Sequence, residues 1–178
     1  MKKIIFIAIL FFSLQNYAQK TFEVYNLTGQ TVKLWDIITK PNSSATYPEF
    51  HSKPFWSVTI PPGGYYALEN TSNIFKFPFE SPASIPYISN WERLNSSSST
   101  TAFTSPVAWS LSTSNSQVFT SLIFEVGTSW NNFTTIPPVP IVAYSAPTYS
   151  SLSGSSWILD YDCTNPSPNV WHYTIVIY

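Results

Sequence analysis

The chain has two histidines, and simple strand geometry gives each a carboxylate within reach. Near the C-terminus Trp157, Leu159 and Tyr161 alternate with Ile158, Asp160 and Asp162, and Trp171, Tyr173, Ile175 and Ile177 alternate with polar residues including His172. Antiparallel pairing of 156–162 with 170–178 around a 163–169 loop sets Trp157 against Ile175, Leu159 against Tyr173 and Tyr161 against Trp171. That register keeps apolar side chains together. It also places Asp160 opposite His172 on the other face, with Cβ atoms about 5 Å apart. A carboxylate that orients an imidazole is half of a general acid–base arrangement. Spacing assigns no nucleophile and no second base, so the plainer expectation is a surface ion pair worth at most about 1 kcal/mol.

Glu49 and His51 form the second acid–histidine pair, between Pro48 and Pro54. Residues two apart on a strand share a face, but two ligands do not make a metal site, and both read as loop residues. Asp160, Asp162 and Thr164 have the spacing of calcium ligands, without the glycine and later glutamate of an EF-hand loop. A structural calcium is thus a weak expectation, and no other cofactor is expected. Glycoside hydrolysis requires two carboxyl groups at a set separation. Glu69, Glu125 and Asp160 are candidates, but spacing does not bring any two into one cleft, and an enzyme is the less favoured reading.

The aromatic residues say more. Seven Trp and eleven Tyr exceed what one core of this size needs. Trp91 and Trp130 fall in segments that read as loops, beside Asn90, Asn131 and Asn132. An exposed indole can stack on the C–H face of a sugar while neighbouring amides bond its hydroxyls, and exposed rings mark interaction surfaces. These five residues are the candidate ligand-binding set; the competing role for the rings is to seal the ends of a small β-core. Phe75, Phe77 and Phe79 are interrupted by Lys76 and Pro78, which read as gatekeepers against aggregation. Sequons at Asn26, Asn42, Asn70, Asn95 and Asn132 are no more than an Asn/Ser/Thr-rich chain produces by chance.

These residues must be positioned by strands. Fifteen Pro rule out long helices, and short runs of Val, Ile, Thr, Tyr, Phe and Trp are separated by Ser, Asn, Pro and Gly. Residues 22–27 and 31–39 predict a first hairpin with Gly29 in a left-handed turn. Trp56, Val58 and Ile60 predict a half-buried strand, ended by Pro61–Gly64 and followed by a returning strand over 65–70. A further edge strand is expected at 75–79. Residues 80–106 read as a long Pro/Ser-rich loop, with one helical turn near Trp91 started by the capping box Ser89 to Glu92. Strands follow at 107–111, 118–126, 141–144, 157–162 and 170–178, with a polar loop over 145–156. The 118–126 strand carries bulk on both faces and is expected to be central. The fold class is therefore all-β: a single antiparallel β-sandwich of about nine short strands, without internal repeats.

Lys2 and Lys3 precede eleven apolar residues, Ile4 to Leu14, and a small residue at Ala18. This is the pattern of a cleaved secretory signal peptide over 1–18, too short to span a bilayer, leaving a single domain over 19–178. Without Lys2 and Lys3 the chain has six basic and nine acidic residues, net −3, which offers nothing to nucleic acid or an anionic membrane. The lone Cys163 cannot form an internal disulfide and reads as a small buried apolar residue. The function expected is a secreted, periplasmic or cell-surface binding module that uses exposed aromatics on carbohydrate or another surface ligand. A self-associating structural or adhesive protein is the alternative, and a small outer-membrane β-barrel a further one, disfavoured by so many prolines.

Overall fold

The computed structural model describes residues 19–41, 45–56, 58–70, 88, 90–104, 117–134, 148–167 and 170–178. The expected signal peptide at 1–18, the expected strands at 75–79, 107–111 and 141–144, and the sequon at Asn42 lie outside the described residues. What is described is all-β, with twelve strands rather than nine: β1 Gln19–Asn26, β2 Val32–Pro41, β3 Glu49–Lys53, β4 Val58–Ile60, β5 Tyr65–Asn70, β6 Asn90–Ser96, β7 Ser99–Thr104, β8 Gln117–Val126, β9 Ser129–Thr134, β10 Thr148–Ser153, β11 Ile158–Ser167 and β12 Val170–Ile177. A five-stranded sheet runs β10-β11-β12-β1-β5. A seven-stranded sheet runs β7-β6-β3-β2-β8-β9, with β4 also pairing β2. Neither sheet closes on itself among the described strands, so they do not form the barrel considered above.

Inner-face rings of the two sheets meet directly. Phe119 on β8 contacts Phe22 of β1 at 4.6 Å, Tyr161 of β11 at 5.8 Å and Tyr173 of β12 at 6.0 Å between ring centres. Offset and tilted aromatic pairs of this kind add stabilisation beyond their buried area. The expected alternation is observed at the C-terminal end: Leu159, Tyr161, Tyr173, Ile175 and Ile177 are all fully buried. The 118–126 strand is central, between β2 and β9. However, Phe119 rather than Thr120 faces the opposing sheet, because the register with β2 shifts between Ile38 and Thr39.

Several local expectations change. Residues 19–26 and 32–41 do not form a hairpin; β1 and β2 lie in different sheets, as do β4 and β5. Both connections are corners between sheets, and the buried Asn26 ties them together. Its side-chain amide donates to the carbonyls of Gln30, Ile60 and Pro61 at 2.8–3.0 Å, and its backbone exchanges bonds with Gly63 and Gly64. Gly63 (φ 72°) in this second corner and Gly127 (φ 62°) between β8 and β9 are left-handed, whereas Gly29 is not.

The sandwich is not wholly antiparallel, since β1 runs parallel to β12. The pairing joins residues about 150 positions apart, and local turn chemistry cannot encode it. Within the stretch read as a long loop, β6 and β7 form a hairpin through a two-residue turn, and the polar stretch 145–156 contains the edge strand β10. Polar edge strands escape an alternation test because neither face needs a continuous apolar set.

Candidate functional site

A β-bulge in β2 creates the most distinctive surface. Leu34 pairs with Phe124 and Asp36 with Ile123, leaving Trp35 as the extra residue. Two residues opposing one breaks the alternation. Leu34 and Ile37 both face the core, while Trp35 and Asp36 share the outer face of the seven-stranded sheet. The bulge is visible in the sequence as the three-residue step from Leu34 to Ile37 after the two-residue step from Val32.

Trp35 is the hub of an aromatic cluster. Phe55 stacks on it at 4.9 Å and 16°. Trp56 and Trp130 meet it edge-on at 4.3 and 4.7 Å. Phe55, Trp56 and Trp130 remain 41%, 37% and 51% exposed. Phe55 and Trp56 sit in the turn between β3 and β4, and Trp56 has φ 68°. A left-handed conformation costs a non-glycine residue of order 1–3 kcal/mol and persists only where its surroundings enforce it. Here the enforcing contacts are Trp35 and the Lys33 ammonium, 4.8 Å from the Trp56 ring centre. The Lys53 ammonium covers Phe55 at 3.3 Å. Both lysines are paired, Lys33 with Glu125 at 3.7 Å and Lys53 with Glu92 at 3.1 Å.

Beside the rings lies a chain of charges. His51 Nδ1 is 2.6 Å from Asp36 Oδ2, and Nε2 is 2.9 Å from Glu49 Oε1; Lys40 reaches the other Glu49 oxygen at 3.1 Å. Asp36 is only 2% exposed. Burial alone pulls the His51 imidazole down, but the hydrogen bonds and charges of Asp36 and Glu49 outweigh it and push it up to about 9. Burial raises Asp36 in spite of His51. Glu49 is held below the usual carboxylate range, because its bonds to His51 and Lys40 overcome burial. His51 is thus an imidazolium at neutral pH with both nitrogens engaged. That arrangement suits a structural cation and offers no free nitrogen for general-base work.

The sequence candidates fare differently. Glu49 and His51 are not loop residues but lie on β3, inserted between β2 and β6. Trp56, expected in a strand, is in the turn. Trp130 is on β9, facing outward with Asn132, which accepts a hydrogen bond from Ser121 Oγ at 3.1 Å. Asn131 donates to the carbonyl of Ser129, two residues back on β9, at 2.8 Å. Asn90 is exposed on β6, opposite Lys53. Trp91, by contrast, is fully buried on β6 and belongs to the core. It lies on neither a loop nor a helical turn and does not join Trp130 at the surface.

Asp160 and His172 are not opposed. Asp160 faces Val176, and His172 faces Thr164. β11 runs on to Ser167, into the expected 163–169 loop, with a register shift between Thr164 and Ser167. Alternation fixes the face of each residue but permits register changes that preserve parity. Asp160 instead accepts from Tyr178 Oη at 2.7 Å. Asp160, Asp162 and Thr164 alternate on the outer face of a strand, whereas Glu125 faces outward from the other sheet; Asp160 and Glu125 therefore cannot flank one cleft. Among the described residues, no group of three His, Cys, Asp or Glu is arranged to hold a metal. Cys163 is buried, and burial pushes its thiol up to about 12.

Sequence reasoning missed Trp35, Phe55 and Trp56. The stepped alternation in β2 and the adjacent rings after Pro54 were the available signals. Comparison with protein-family models and with curated proteins gives no match.

Proposed function

We propose that this protein is an exported, non-catalytic binding module that takes carbohydrate on the outer face of its seven-stranded sheet. The supporting observation is the mutual contact of Trp35, Phe55, Trp56 and Trp130 on one solvent-facing surface. Leaving rings of this size in water sacrifices burial energy, and contiguous exposed apolar surface marks an interaction site. Paired charges, Lys33 with Glu125 and Lys53 with Glu92, together with Asn90 and Asn132, rim the rings. They supply donors and acceptors without a strong net charge, which suits an uncharged, hydroxyl-rich ligand better than an anion. A broad glycan array followed by titration calorimetry tests this reading. Wild-type protein is expected to bind at least one neutral glycan class, and Trp130→Ala to lose that binding. An array without a hit, or unchanged affinity in Trp130→Ala, would overturn it.

Self-association is favoured by a separate observation. On the edge strand β5, Tyr65 is 67% exposed and stacks on Tyr25 at 5.8 Å, near the exposed Leu27. Light scattering over a concentration series separates the readings: a monomer throughout removes this one.

A further inference from the structure

We infer that His51 is a positioning residue for the aromatic site: held between Asp36 and Glu49, it sets the path along which β3 delivers Phe55 and Trp56 onto Trp35. The geometry follows from how little ladder joins β2 to β3. Only Ile38–His51 and Thr39–Phe50 pair in register. At the next position Ser52 Oγ accepts the Ile37 N–H at 2.8 Å and donates to Asp36 Oδ1 at 3.4 Å. From there to the turn, β3 is tied to β2 through side chains, and Asp36 receives both ties. Asp36 directly follows Trp35, and Phe55 is four residues beyond His51. The clamp and the rings therefore share both stretches of backbone.

The charged groups around His51 come from three strands. Asp36 and Lys40 lie on β2, Glu49 and Lys53 on β3, and Glu92 opposite His51 on β6, where it pairs with Lys53. An imidazolium donates from both nitrogens, whereas a neutral imidazole has one donor. On deprotonation His51 can donate to Asp36 on β2 or to Glu49 on β3 but not both, so the tie between the strands either breaks or keeps its hydrogen bond without the imidazolium charge. The rings then lose one of the constraints on the turn, the others being the β3–β6 ladder and the Trp35, Lys33 and Lys53 contacts. This consequence is independent of ligand; only its effect on affinity rests on the carbohydrate reading proposed above.

The test follows the indole N–H resonances of Trp35, Trp56 and Trp130 from about pH 6 to about pH 10, in wild type, His51→Gln and Glu49→Gln. In wild type these signals are expected to move together with a midpoint near 9, while those of the core residues Trp157 and Trp171 stay fixed. In His51→Gln the transition should vanish, with the three signals near their wild-type alkaline positions throughout. In Glu49→Gln, which retains the Asp36 link if the glutamine variant of His51 does not fold, the midpoint should move to lower pH. A glycan found by the array should bind several-fold more weakly above the midpoint in wild type and show no such pH dependence in His51→Gln. Wild-type indole signals that do not titrate, or a midpoint that persists in His51→Gln, overturn the inference. Titrating rings without glycan binding would sink the carbohydrate reading alone; glycan binding with pH-invariant rings would sink the clamp alone.

Discussion

The two sheets have similar inner faces and very different outer ones. On the five-stranded sheet, β12 alternates strictly between buried and half-buried residues, and its outward His172 and Thr174 lie on an ordinary solvated surface. On the seven-stranded sheet, β2 is buried continuously from Asp36 to Thr39, and β8 is buried at every position but Ile123. The outward side of this sheet has sunk the Asp36 carboxylate below the surface, beside a half-buried histidine on β3 and the edge of an aromatic cluster. A face that needed only to be wetted would not carry that desolvation cost. On the binding role proposed above, the seven-stranded sheet is the ligand-facing side of the molecule.

The largest test of that contrast compares the two histidines. His51→Ala leaves Asp36 buried without its cation and is expected to destabilise the protein by about 3–5 kcal/mol, measured by denaturant unfolding. His172→Ala, on the other sheet, should stay within about 0.5 kcal/mol. Similar losses at both positions would erase the distinction.

The pH dependence of stability sharpens it. The folded-state pKa of His51 lies above the ordinary 6.5, so its contribution is fully present below that value and is lost as pH rises through about 9. Lys20 has the opposite sign. It is fully buried on β1 and donates across the sandwich to the Gln117 carbonyl of β8. Desolvation, only partly offset by Cys163, lowers it to about 7. Below that value its buried ammonium carries the full penalty, and the penalty is relieved as pH rises from about 7 towards 10.5, because the unfolded chain there binds more protons. Lys20→Met should therefore be more stable than wild type near pH 6, with an advantage that shrinks towards pH 10. A constant difference between the two unfolding curves would contradict this.

Smaller effects are expected from exposed rings and exposed carboxylates. Trp130→Ala should weaken glycan binding about tenfold or more while changing stability by no more than about 1 kcal/mol, as a half-exposed ring allows. Asp160→Asn, which weakens an exposed hydrogen bond from Tyr178, should move the unfolding free energy by less than about 0.5 kcal/mol and leave binding unchanged.

What could be read from the chain divides along physical lines. The faces of β11 and β12 were legible because period-two alternation is a local signal. Their register was not, since Tyr161 opposite Ile175 buries apolar surface as well as Tyr161 opposite Trp171. The Asn26 corner resembled a hairpin because glycine-containing turns serve both purposes, and only the distant partners of β1 and β2 decide between them. Trp91 and Trp130 carry nearly the same local context, each beside asparagine, yet one is core and the other surface. Strand β6 turns Trp91 inward and β9 turns Trp130 outward, a choice made by pairing with strands far along the chain. The aromatic site was hidden for the same reason: Trp35 and Trp130 are neighbours only because β2, β8 and β9 lie side by side.

The parallel pairing of β1 with β12 bears on how the molecule is assembled. β1 connects β5 to the rest of the five-stranded sheet, yet its second neighbour, β12, lies about 150 residues further along the chain. β1 and β5 must wait, unpaired along one edge, until β12 is available. Such long-range contacts slow folding and prolong the exposure of strand edges. Removing β12 would therefore cut the sheet through its middle rather than trim its rim.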